Sequence, residues 1–210
     1  MSKYIQKLIE EGEHQMQDFK YEISDSRKIA RSLAAFANTD GGRLLIGVKD
    51  NGNISGIRSE EEKYMIQTAA EMYCKPNVEY EVKEWNINGK TILEVLVHKS
   101  KYFKHQAPDH NNIYKVYTRV KDQNIIANRI LLKIWKYKNN KQNIKITFTD
   151  SERFLLKYLN ENNKITVNEF SEKAKISIKE AEKTIVNFTL MNLIKYEITE
   201  KVIFFSLCEE

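Results

Sequence analysis

The sequence predicts an α+β protein in which a mixed-sheet domain precedes a small helical domain closed by a hairpin. Three observations predict it. Apolar residues recur at helical spacing (Tyr4, Ile5, Leu8, Ile9) and then alternate, with Phe19, Tyr21 and Ile23 set against Asp18, Lys20 and Glu22. The run FANTDGGRLLIGVKDNGNISG, from Phe36 to Gly56, joins a helix end, a Gly-Gly turn, an apolar strand and an Asn-Gly turn in one unit. After Asn143 three helical segments are followed by two short alternating ones.

In chain order, a short first helix should stop near Gly12. The alternation from Asp18 to Ile23 reads as a strand. A helix over about 25–37 follows, capped by Ser24, with Ile29, Leu33, Phe36 and Ala37 inward and Gly41 as its left-handed C-terminal cap. Leu44–Val48 is a central strand. Residues 60–73 are helical, and Asn88-Gly89 joins two strands of a hairpin. His98–Asn112 lacks periodicity and reads as a long loop, functional or disordered. Ile113–Val120 is a strand with Lys115, Tyr117 and Arg119 on one face. Asn124–Tyr137 is a helix that buries Ile126, Ile130, Leu131 and Ile134. The first domain is thus 1–138, the linker 139–143 and the second domain 144–210. In the last, helices at 151–160, 168–175 and 177–190, a short strand at 165–167 and a hairpin around 199–201 have winged-helix order.

The net charge of +5 is unevenly spread. Residues 1–98 carry 13 basic and 16 acidic side chains, 99–143 carry 11 and two, and 144–210 carry 10 and 11. The central segment therefore holds the basic excess, which attracts phosphates and releases their counterions. Tyr102, Phe103, Tyr114 and Tyr117 interleave with it as stacking surfaces for unpaired bases. Candidate phosphate contacts are Lys101, Lys104, Lys115, Arg119, Lys121, Arg129 and Lys133, with Tyr117 beside them. On the helix 177–190, Lys179, Glu180, Glu182 and Lys183 nearly cancel, and Asn187 is the amide suited to a base edge.

Cys74 and Cys208 are too few for a disulfide framework and read as reduced thiols. With no long apolar run and no signal-peptide pattern, no membrane association and a cytoplasmic location are expected. His98, His105 and His110 read as exposed loop histidines, and no phosphate-binding GxxxxGK[ST] loop occurs. The Gly pair at 41–42 reads as a helix cap rather than a nucleotide cradle.

Glu13, Asp18 and Asp50 converge only if the chain turns from helix to strand between the first two and Asp50 leaves the neighbouring strand at its tip. Clustered so, they would suit Mg²⁺ or Mn²⁺. Alternatively, Glu13 caps or pairs with a helix, Asp18 pairs with Arg43 or Lys20, and Asp50 opens an Asp-Asn-Gly turn.

The pattern E-x4-D-F-K (Glu13, Asp18, Phe19, Lys20) with the Phe36–Gly56 run resembles the Schlafen AlbA-like domain over roughly Glu10 to Trp135. The resemblance implies a mixed-sheet nucleic-acid-binding domain, in bacteria often joined to a helix-turn-helix module. It also implies, as an alternative, a metal-dependent endoribonuclease acting on structured RNA, with Glu13, Asp18 and Asp50 as the acidic triad and Lys20 as a phosphate contact. Asp18 stands where the family usually has glutamate. The expected function is a nucleic-acid-binding protein, a DNA-binding transcriptional regulator acting as a homodimer. The alternatives are that endoribonuclease, with Mg²⁺ or Mn²⁺ as cofactor, and a non-catalytic protein-interaction scaffold.

Overall fold

The computed structural model describes residues 3–101, 104–139 and 149–208, with Asn139 described as backbone alone. Tyr102, Phe103 and most of the expected linker lie outside them. The chain divides into two compact units, Met1–Ala127 and Asn128–Glu210.

The first unit is built on a four-stranded sheet in the order β1-β2-β4-β3, from β1 (Gln17–Lys20), β2 (Gly42–Ile46), β3 (Tyr80–Ile87) and β4 (Lys90–Val97). The β1–β2 pair is parallel and the others are antiparallel, so the sheet is mixed. Alternation along the strands divides the core in two. Leu44, Ile46, Leu93 and Val95 pack with α2 (Ser26–Asn38) and α3 (Glu61–Glu71), whereas Phe19, Leu45 and Ile92 pack with Ile5 and Leu8 of α1 (Lys3–Glu11). The sheet is therefore covered by helices on both faces. A second sheet, β5-β6-β7, comes from β5 (Gln106–Pro108), β6 (Tyr114–Val120) and β7 (Gln123–Ile126).

Local chemistry explains the departures from expectation. Asp25, not Ser24, caps α2, its carboxylate accepting the Arg27 N–H at 2.9 Å. Gly41 is left-handed (φ +76°) and donates to Phe36 O at 2.9 Å, as a helix-ending glycine does. β1 starts and ends earlier than the alternation suggested, because a tight turn pairs His14 with Gln17 and feeds the strand. The long loop is interrupted by β5, where Lys75 and Gln106 exchange backbone bonds of 2.9 and 2.7 Å. Residues 124–126, expected to begin a helix, instead belong to β7 (Gln123–Ile126). The turn at Lys121, with φ +55°, returns the chain onto β6, and Ile126 is 51% exposed. The helix α4 (Arg129–Asn139) starts only after Asn128, whose Oδ1 accepts the Leu131 N–H at 3.1 Å.

In the second unit α4 is followed by α5 (Asp150–Asn162), α6 (Val167–Lys173), α7 (Ile178–Leu190) and the hairpin β8 (Ile194–Ile198) and β9 (Ile203–Leu207). Ile165, between α5 and α6, pairs with Phe205 as an isolated bridge. Reciprocal capping boxes, Thr149 with Glu152 and Thr166 with Glu169, start α5 and α6. Phe170, Ala181, Ile185, Phe188 and Phe205 are buried, whereas Ile178, expected inside, is exposed. Because α4 is bound to α7 through Glu182, it lies in the second unit rather than at the end of the first.

Candidate nucleic-acid interface and the Glu13–Asp18 carboxyl pair

β1 lies at the edge of its sheet, and its exposed peptide groups need partners that no neighbouring strand supplies. Side chains supply them. Glu13 Oε1 accepts the Phe19 N–H at 2.8 Å, and Lys20 Nζ donates to Phe19 O at 2.7 Å. Gly12, left-handed at φ +72°, ends α1 and swings Glu13 back along the strand.

The same geometry brings Glu13 to Asp18. Asp18 is 3% exposed, its Oδ2 lies 2.7 Å from Lys20 Nζ and its Oδ1 3.3 Å from Arg119 Nη2. Ser32 Oγ approaches Oδ2 at 3.5 Å. Burial opposes ionisation of Asp18, but Lys20, the hydrogen bond with Glu13 and Arg119 together outweigh it and hold its carboxyl below the ordinary value. Glu13 moves the other way. Burial first, then its hydrogen bond to Asp18, raise its pKa against the opposing Phe19 N–H. The two carboxyls are thus shifted in opposite directions, Glu13 upward and Asp18 downward, as neighbouring acids that interact are.

Arg119 is 2% exposed. Its guanidinium lies 5.0 Å from the Phe36 ring centroid and donates to Gln17 O at 3.1 Å, His14 O at 3.4 Å and Asn124 Oδ1 at 3.1 Å. Its Nε is buried without a partner among the described residues. This arginine is an internal strut, which corrects its expected place on a phosphate-binding surface. Tyr117 is corrected likewise: at 5% exposure it packs in the core with α2 and offers no stacking face.

Asp50 does not join the pair. It is exposed in the turn closed by Gly52 N–H to Lys49 O (2.8 Å), and no group of three or more His, Cys, Asp or Glu side chains placed to hold a metal occurs among the described residues. Mg²⁺ and Mn²⁺ need several free oxygen ligands. Here both Asp18 oxygens face cations, and Glu13 is committed to a backbone N–H and to Asp18. The residues do not fit a bound divalent cation, so the expected triad is corrected to a carboxyl pair plus a separate turn aspartate. Of the structural alternatives, Asp18 takes Lys20 rather than Arg43, which pairs with Glu94 at 3.4 Å.

The remaining candidate cations divide. Lys101 and Lys121 are exposed, and Lys115 is half-buried. Lys104 Nζ donates to Asn38 O at 2.9 Å. Arg129 and Lys133 pair with buried Glu182. His105 is buried, contrary to expectation, with Nδ1 2.8 Å from Pro76 O and its pKa lowered chiefly by burial. Burial also pushes the Cys74 thiol up to about 12.

Sequence reasoning placed α2 but overlooked its cations. Ten of its 13 residues are buried, and the three that reach solvent are Arg27, Lys28 and Arg31. Arg27 Nη1 donates to Asn112 Oδ1 at 3.1 Å and Arg31 Nε to Pro108 O at 2.9 Å, fixing both against the turn between β5 and β6. The signal was present, since Arg27, Lys28 and Arg31 fall within five consecutive residues of the expected helix and outside its apolar stripe.

No helix among the described residues is long and apolar enough to cross a membrane. No curated protein matches the chain. Among solved structures it is similar to the DIP2311 protein of Corynebacterium diphtheriae (19% identity, TM-score 0.46), covering 70% of this chain and 34% of that one. It is also similar to the N-terminal domain of an ATP-dependent DNA helicase RecG-related protein from Nitrosomonas europaea (21% identity, TM-score 0.36), covering 60% of this chain and 95% of that domain. The family described as Schlafen, AlbA_2 matches residues 13–128, more than half of the chain and nearly all of the first unit. The chain belongs to the Schlafen AlbA_2 family.

Proposed function

We propose that this protein binds nucleic acid through phosphate contacts, as a DNA-binding transcriptional regulator rather than as a nuclease. Family membership supports the nucleic-acid-binding role. The observation that carries the choice against hydrolysis is Asp18 held between Lys20 and Arg119. A carboxylate whose charge is matched by two resident cations has little left for a hydrolytic metal, and the third acid stands apart.

The second unit supports the regulator reading. Its order of helix, bridge, helix, helix and hairpin supports a winged-helix reading, in which α7 would take the recognition position. The near-cancellation of charge on α7 is relieved, because Glu182 is turned away and paired with Lys133 and Arg129. Lys175, Lys179 and Lys183 stay exposed.

The purified chain, incubated with labelled duplex DNA and with tRNA in Mn²⁺ or EDTA, is expected to retain DNA with an affinity that falls steeply with salt and to leave the tRNA intact. Metal-dependent tRNA cleavage that Glu13→Gln abolishes would establish the endoribonuclease instead. Failure to retain either polymer at low salt would point to a protein-binding scaffold.

A further inference from the structure

The three solvent-reaching residues of α2 fall within one arc of about 100° around the helix, Arg27 and Arg31 as i,i+4 neighbours and Lys28 at the edge of that arc. Lys115 lies on β6 opposite Ala107 of β5, on the same strand face as Tyr117, which packs into the α2 core. Cations from residues 27–31 and 115 are thereby brought to one surface, although residues 1–98 as a whole are net acidic.

Two acids accompany these cations, and both are occupied. Asp25 caps α2 and holds Arg27 Nε at 3.1 Å. Asp109 is buried and accepts the Asn111 and Ile113 N–H groups at 2.8 and 2.9 Å, the Ile113 bond being the main reason its pKa is lowered. Arg31 spends only Nε on Pro108 O, which leaves both Nη groups without a hydrogen-bond partner among the described residues. Guanidinium groups fixed in place with donors to spare suit bidentate contact with phosphate, and their prior fixation lowers the entropy lost on binding.

We propose that Arg27, Lys28, Arg31 and Lys115 form the surface that holds the sugar-phosphate backbone of the bound nucleic acid. The assignment rests on the nucleic-acid-binding reading above. It moves the contact surface away from Arg119, Arg129 and Lys133, which the fold uses internally or pairs with Glu182. Contact with the backbone does not distinguish DNA from RNA, so both polymers serve as probes.

The test uses the full chain, a short labelled DNA duplex and a labelled RNA stem-loop, with affinity followed by anisotropy across a salt series. The principal variant is K28Q/K115Q, because neither lysine's side chain makes a hydrogen bond or ion pair to the fold among the described residues. A thermal midpoint equal to wild type verifies that. A control of equal charge change, K7Q/K83Q, removes exposed lysines of α1 and β3. We expect K28Q/K115Q to flatten the salt dependence by about two units of log–log slope and to raise Kd, with K7Q/K83Q close to wild type. R27Q/R31Q should weaken binding further. If wild type binds but K28Q/K115Q keeps its slope, or the control loses as much, this surface is wrong and the nucleic-acid-binding reading stands. If wild type binds neither probe at low salt, both fail together. Binding of one probe only, with the expected loss of slope, supports the surface and identifies the polymer.

Discussion

Arg119 Nη2 and Asp18 Oδ1 meet at 3.3 Å in the interior of the first unit, although 101 residues separate them in the chain. Arg119 belongs to the small sheet and Asp18 to the edge of the large one, so this contact couples the two. It also places a positive charge beneath the carboxyl pair and removes that charge from the surface.

Removing either partner of this buried pair costs stability: without Arg119 the Asp18 carboxylate keeps Lys20 alone, and without the Asp18 charge the buried guanidinium has no carboxylate. Arg119→Met should destabilise the protein by about 3–5 kcal/mol, because Gln17 O and His14 O lose a donor along with Asp18. Asp18→Asn should also destabilise. Urea unfolding of the single and double variants is expected to show the double variant losing less than the two separate losses combined; strict additivity would mean the residues are not coupled.

The carboxyl pair gives opposed pH effects. Asp18, whose folded pKa is below 3.8, stabilises the fold above that value, and its contribution disappears as the pH falls through the lower folded pKa. Glu13, whose folded pKa is above 4.5, stabilises the fold most when protonated and loses that contribution as the pH rises through the higher folded pKa. Glu13→Gln should therefore remove the decline above pH 4.5 while preserving the acid-side loss. Melting temperatures across the acid range test this, and an unchanged decline in the variant would contradict the assignment.

Gly42 and Gly89 should differ sharply on substitution by alanine. A Cβ at Gly42 would lie 2.4 Å from the Phe36 ring and 2.9 Å from Met16 O, and the overpacking should cost about 1–3 kcal/mol or more. At Gly89, in the β3–β4 turn with φ +76°, nothing lies within 4 Å, so only the backbone strain of roughly 1–2 kcal/mol applies. Equal losses in denaturant titrations would show that the Phe36 contact is not a constraint.

Glu182 anchors α4 to α7. Lys133→Ala leaves this buried acid with Arg129 alone, 3.6 Å away and largely solvated. Amide hydrogen exchange along α4 should accelerate while α2 amides keep their protection. Uniform acceleration in both helices would contradict a local role.

Much of the fold was legible in the order of residues. Helical spacing in 4–9 and 29–37, the apolar run at 44–48 and the Asn88-Gly89 turn each state a local preference that packing reinforces. The start of α4 was not legible. Ile125 and Ile126 match a helical stripe as readily as a strand, and pairing with Thr118 and Tyr117 settles the matter through contacts that periodicity does not encode.

The candidate site divides along the same line. Sequence by itself determined that Glu13, Asp18 and Lys20 share one short stretch, that Gly12 lets the first fold back, and that basic charge concentrates after residue 98. Only the tertiary structure decided where each charge points: Arg119 inward to Asp18, Lys133 onto Glu182, Asp50 apart, and Arg27, Lys28 and Arg31 outward together. The physical reason is that a local pattern sets which face of an element a side chain occupies, whereas burial and pairing depend on what packs against that face from distant parts of the chain.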